Sequence, residues 1–162
     1  TLIDLTGTDA ATLACWGYTD EDATTNVAVT HNDDASTSSL SIVGRSGGAV
    51  RIGAGGSTVS RRDIGGTENV ANKIFVSTLR ADISEDDCNR RVITTDVGVL
   101  TNTDSGMGTG NFADAELAVL GRSDGTFPAI GGVGVVLLID RYLTSEETTE
   151  LETYLEGKAG VE

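Results

Sequence analysis

An antiparallel all-β sandwich or barrel is what this sequence predicts, and two observations predict it. Apolar and polar residues alternate along about eight short segments, and no helical segment intervenes to carry parallel crossovers. Glycine, at 21 residues, with frequent threonine and a single proline suits short strands joined by tight turns. The 162 residues fit one domain, 1–162, long enough to bury a sizeable core. Only 4% of residues are aromatic, so Val, Ile, Leu and Ala must build that core.

The strands follow in order. ATLACWGYT (11–19), TNVAVTH (25–31), SLSIVGR (39–45) and AVRIGAG (49–55) each alternate as half-buried strands do, with acidic or small-residue turns between them. GSTVSRRDIGGTEN (56–69) reads as one irregular strand or as a long ordered loop. NKIFVSTLR (72–80), RRVITTDVGVLTN (90–102), AELAVLGR (115–122) and GVGVVLLIDR (132–141) complete the set. DSGMGTGNF (104–112) is the loosest stretch and is expected as an exposed loop.

One helix is specified near the end, over 144–157. Thr144 and Glu147 form a capping box, and Glu146, Glu147 and Glu150 place negative charge near the positive end of the helix dipole. Leu151, Tyr154 and Leu155 share a face that should be buried against the sheets, and Gly157 or Gly160 can close the helix.

The formal net charge is −14, with Lys73 and Lys158 the only lysines. Such a surface repels nucleic acid and anionic membranes, so neither is expected as a partner, and no stretch approaches a membrane span. It suits a protein working in salty water as well as it suits a merely acidic surface. The chain opens on Thr1 rather than Met, which points to processing or excision from a longer protein. Cys15 and Cys88 match no metal spacing and are expected unpaired, Cys15 in an apolar strand and Cys88 in an acidic turn.

Candidate sites are few. Trp16 and Tyr18 alternate along one strand; exposed they would make a sugar-stacking platform, while a buried Trp16 would be the main core anchor. Asp20, Glu21 and Asp22, or Asn32, Asp33 and Asp34, could supply oxygens to Ca²⁺, although solvated turns are the plainer reading. His31 is the only histidine, which leaves a histidine-based metal site or a Ser-His-Asp triad little to build on. Arg61-Arg62 and Arg90-Arg91, the paired basics, would meet acidic neighbours on another subunit or offset local charge.

The run from Val135 to Glu147, VVLLIDRYLTSEE, followed by Leu151, Tyr154, Leu155 and Lys158-Ala159-Gly160, resembles the closing signature of concanavalin A-like, laminin-G-like jelly-roll domains. AELAVLGR resembles another strand of that family, with Gly121-Arg122 aligned. Where many members carry an Asn-Gly turn this chain has Asp96-Val97-Gly98. The resemblance implies a two-sheet antiparallel jelly-roll sandwich with one short C-terminal helix. Such domains are frequent in tail fibres and other surface proteins of tailed viruses and in secreted bacterial proteins. The fold alone implies no activity.

A retaining glycosidase needs two carboxylates facing each other on the fold, and the acidic clusters here all sit in expected turns. The expectation is therefore a non-enzymatic module on a virion surface or in the extracellular space: a tail fibre, tail tip or capsid decoration that binds host-surface glycan. A secreted bacterial carbohydrate-binding or adhesion module is the alternative, and a glycoside hydrolase stands further behind. No cofactor is expected beyond Ca²⁺. Other virion subunits and further copies of the chain are the expected partners. A trimer is favoured, with contacts through the less acidic stretches 44–62 and 117–135, which carry Arg45, Arg51, Arg61, Arg62 and Arg122.

Overall fold

The computed structural model describes residues 2–19, 25–31, 37–45, 49–64, 73–120 and 131–160. In chain order the strands are β1 (Leu2–Asp4), β2 (Ala10–Thr19), β3 (Thr25–His31), β4 (Ser39–Arg45), β5 (Val50–Gly55) and β6 (Val59–Ile64). They continue with β7 (Ile74–Asp82), β8 (Asp87–Thr94), β9 (Gly98–Asp104), β10 (Asp114–Val119) and β11 (Gly131–Ile139), and the helix α1 (Ser145–Ala159) closes the chain. The larger sheet has six strands in the order β1-β10-β3-β4-β5-β6, and the smaller has five in the order β11-β2-β7-β8-β9. Every pairing is antiparallel. The fold is the expected jelly-roll sandwich.

Strand alternation fills the space between the sheets. Leu13 and Cys15 of β2, Phe75 and Leu79 of β7 and Val92 of β8 meet Val29, Leu40, Ile42, Val50 and Ile52 from the larger sheet, all fully buried. Arg90 of β8 is also completely buried. Its guanidinium donates to the Ile52 carbonyl at 3.1 Å, the Ser60 carbonyl at 3.1 Å and the Ser60 hydroxyl at 2.8 Å, stapling the two sheets. Arg62 pairs with Asp104, joining β6 to β9 on the same side. Arg62, Arg90 and Arg91 are thus all engaged inside the protomer, Arg91 through Glu152.

The glycine-dense segment after β9 departs from expectation. Met107 is fully buried and Phe112 nearly so. The Met107 carbonyl accepts from Gly56 N at 2.9 Å and Thr58 N at 3.2 Å, Thr109 O accepts from Ser57 N at 2.8 Å, and Thr8 O accepts from Phe112 N at 2.9 Å. Asp86 accepts the backbone N–H of Gly106 and of Met107 through Oδ1, at 2.8 and 2.9 Å. Positive φ at Gly106, Gly108 and Gly110 lets the loop fold back so that Met107 plugs the end of the core. Of the ambiguous segment after β5, residues 56–64 form a tight turn and a regular strand, β6, while 65–69 lie outside the described residues. Asp96-Val97-Gly98 does make a turn between paired strands, with Gly98 at φ +76 and Val97 N donating to Thr94 Oγ1.

Helix α1 has the anticipated capping box, and Gly160 closes it at φ 70. It lies on the outer face of the smaller sheet over β7, β2 and β11. Its buried face is rotated from the expected one. Thr148, Glu152 and Leu155 are buried, whereas Tyr154 is 51% exposed, with Lys158 Nζ lying 5.5 Å from its ring centroid.

Candidate functional site

The two outer faces of the sandwich differ. On the smaller sheet, residues of β2 that do not face the core are Thr12, Ala14, Trp16 and Tyr18. Ala14 and Trp16 pack with Val76, Val135, Leu137, Leu151 and Leu155 in a second apolar cluster beneath the helix. The Trp16 indole lies against Gly134, so close that any side chain there would overlap the ring. Trp16 therefore anchors the helix rather than the main core, and its ring is committed to that packing. Tyr18 lies one step along β2, opposite Ile74, and each is 37% exposed. The two aromatic residues do not form a stacking platform.

On the larger sheet no described element covers the outer face; the helix packs on the smaller sheet, against β2, β7, β11 and, through Arg91, β8. Leu40 and Ile42 of β4 and Val50, Ile52 and Ala54 of β5 turn inward. Alternation then puts Ser41, Val43, Arg51, Gly53 and Gly55 outward. The register aligns Ala118, Thr30, Ser41, Gly53 and Arg61 in one row across five consecutive strands. A Cβ on Gly53 would meet Arg61 Cγ at 2.8 Å and Ser41 Oγ at 3.1 Å, so the stem of Arg61 lies across β5 towards Ser41. The result is a trough along this row, with Thr30 and Gly53 buried in its floor and the Arg61 stem crossing it over Gly53.

A second row borders it. Val43, Arg51 and Asp63 are neighbours in register. Arg51 donates from Nε to Asp63 Oδ1 at 2.6 Å and from Nη2 to Oδ2 at 2.8 Å, a bidentate pair. The hydrogen bond it donates to Asp63 holds Arg51 above the ordinary arginine range. The pair fixes one wall of the trough without leaving an uncompensated carboxylate beside it.

Two of the arginines expected at subunit contacts, Arg51 and Arg61, thus share this face, and Arg62 turns to the sandwich edge. The side chain of Arg45 and all of Arg122 lie outside the described residues, as do Asp20, Asp22, Asp33 and Asp34. Among the described residues no cluster of metal-ligating side chains occurs. His31 is fully buried on the core side of β3. The described carboxylates whose pKa departs from the ordinary range, Asp4, Asp96, Asp104 and Glu147, all depart downward, through backbone or side-chain hydrogen bonds. The trough was not legible in the sequence, because its row draws on strands far apart in the chain. One signal was present: Val59, Arg61 and Asp63 alternate with Ser60, Arg62 and Ile64, marking which arginine faces outward.

No protein-family model matches the sequence, and no curated protein matches it. Solved structures do match the fold. The CBM40 domain of a Ruminococcus gnavus IT-sialidase, bound to α2,6-sialyllactose, aligns over 90% of this chain and 84% of its own, with 13% identity and a TM-score of 0.61. The heptameric SAP-like pentraxin of Limulus polyphemus aligns over 93% of this chain and 73% of its own, with 12% identity and a TM-score of 0.65. The enzymatically active domain of tailspike protein 2 from bacteriophage CBA120 aligns over 95% of this chain and 25% of its own, with 14% identity and a TM-score of 0.65. At these identities the likeness concerns architecture: the chain has the concanavalin A-like, laminin-G-like jelly-roll fold.

Proposed function

We propose that this chain is a non-catalytic glycan-binding module that works outside the cell, on a virion surface as part of a tail fibre, tail tip or capsid decoration. The observation that carries the reading is the outer face of the larger sheet, which no described element covers and on which Ser41 and Arg61 stand in one row with Thr30 and Gly53. The half-exposed Ser41 hydroxyl and Arg61 guanidinium are the groups there that offer the directional hydrogen bonds that orient a polar ligand. A guanidinium also favours a sugar carrying a carboxylate, which the rest of this acidic surface would repel. The sialyllactose-bound R. gnavus module and the phage tailspike domain support binding and setting respectively.

A non-catalytic role is favoured by the carboxylates. A glycosidase acid needs a raised pKa, and the displaced carboxylates among the described residues all move the other way. Titration calorimetry with α2,6-sialyllactose and with lactose tests the binding. Binding of the sialylated sugar, lost in Arg61→Ala and in Gly53→Val, is the expected outcome. Product release from a polysaccharide panel would overturn the non-catalytic assignment. Absence of the chain from purified particles would move it to the alternative, a secreted bacterial module.

A further inference from the structure

We propose that the free edge of β11 is a self-association surface, on which a second copy of this chain pairs its own β11 antiparallel across a two-fold axis. β11 pairs with β2 on one side, and among the described residues no strand pairs with it on the other. It is nine residues long, GGVGVVLLI, with no charge and no proline. Natural sheets blunt open edges with short strands, charges or prolines. The other three edges of this sandwich fit that rule or are polar: β1 has three residues, β6 carries Arg61, Arg62 and Asp63, and β9 reads GVLTNTD. Among the described residues β11 alone presents an apolar edge.

Its burial pattern points to a strand as the missing neighbour. Val133, Val136 and Leu138 pack inward against the main core, while Val135 and Leu137 pack outward against the cluster under the helix. Both sets are only half-buried, whereas β7, flanked on both sides, is buried almost throughout. A partner laid on either face of the sheet would cover one set. A strand added along the edge covers both and pairs the free backbone N–H and C=O groups.

Charge identifies that strand as another copy of β11. Copies of a chain carrying −14 repel one another wherever their carboxylates converge. A two-fold axis brings identical strips together, so a strip without charge is where such copies can approach. The regular stretch Val136–Ile139, beyond the register shift at Val133/Val136, supplies the pairing ladder. This places the contact at the end of the stretch 117–135 and beyond it, not on the arginines of 44–62, and makes it two-fold rather than three-fold. Arg51 and Arg62 are already occupied by Asp63 and Asp104 within the protomer.

Sedimentation across a concentration and salt series, with amide exchange on the same samples, tests the proposal. A monomer–dimer equilibrium that tightens with salt is expected, with amides of Val136–Ile139 exchanging more slowly as dimer forms. Leu137→Lys keeps an aliphatic stem under the helix but puts a charge on the edge, and should weaken association about tenfold or more with the circular dichroism unchanged. Should that variant fail to fold, the exchange pattern of the natural chain decides alone. A monomer at every concentration and salt overturns the proposal. So does an oligomer in which β11 amides exchange at the monomer's rate.

Discussion

Nε of Arg91 in β8 lies 2.7 Å from Oε1 of Glu152 in α1, and the Glu152 side chain is only 4% exposed. This ion pair joins the helix to the sheet at the centre of a face otherwise closed by Trp16, Val76 and Leu155. A short helix with a modest apolar stripe gains its position from such a contact rather than from its own propensity. Removing one partner of a buried pair leaves the other uncompensated, at about 3–5 kcal/mol. Arg91 retains 27% exposure and can rehydrate, so Glu152→Ala is expected to cost less, about 2 kcal/mol. Urea unfolding measures it, and Glu152→Gln should recover part of the loss.

The capping box gives a pH prediction. The hydrogen bond from Arg141, with further hydrogen bonds at Thr144, lowers Glu147 to about 2 from the ordinary 4.5. A carboxylate with a depressed folded pKa contributes stability that is fully present above its unfolded pKa. That contribution is lost as pH falls from about 4.5 through about 2. Thermal melts of Glu147→Gln should therefore lie below those of the natural chain at neutral pH and converge with them across that window.

Gly134 has a steric role. A methyl group there would overlap the Trp16 ring, which packs in the cluster under the helix. Gly134→Ala should destabilise by about 1–3 kcal/mol, as overpacked sites do. Because Trp16 is the only tryptophan, its fluorescence reports the displacement directly, with a red shift expected.

Both cysteines are buried and free, and burial raises each thiol to about 12. Neither should react with a thiol-specific reagent in the native protein, and both should react once it is unfolded in denaturant. Reaction of either in the folded state would mean that the core opens at β2 or β8.

The strands and the helix were legible because their signals are local: alternation in segments such as SLSIVGR, and the Thr144–Glu147 box. Leu151 and Leu155 were placed rightly on the buried face of the helix, but Tyr154 was not, because apolar side chains were taken as its only markers. Glu152 lies on that face since Arg91 of a distant strand receives it, and Tyr154 is left outside. The loop holding Met107 reads as exposed from its glycines, yet hydrogen bonds from Gly56 and Thr58 and to Asp86 hold it in the core. β1, with three residues, was too short to alternate visibly. The trough required a register that no single segment encodes, since Thr30, Ser41, Gly53 and Arg61 become neighbours only through strand pairing.

The central claim is that the open face of the larger sheet binds glycan, and residue-by-residue NMR shift mapping during titration with α2,6-sialyllactose tests it most directly. The account predicts saturable shifts at Thr30, Ser41, Gly53 and Arg61, abolished in Arg61→Ala while the remaining spectrum is unchanged. Shifts centred on Trp16 and Tyr18, or no saturable shifts at all, would contradict it.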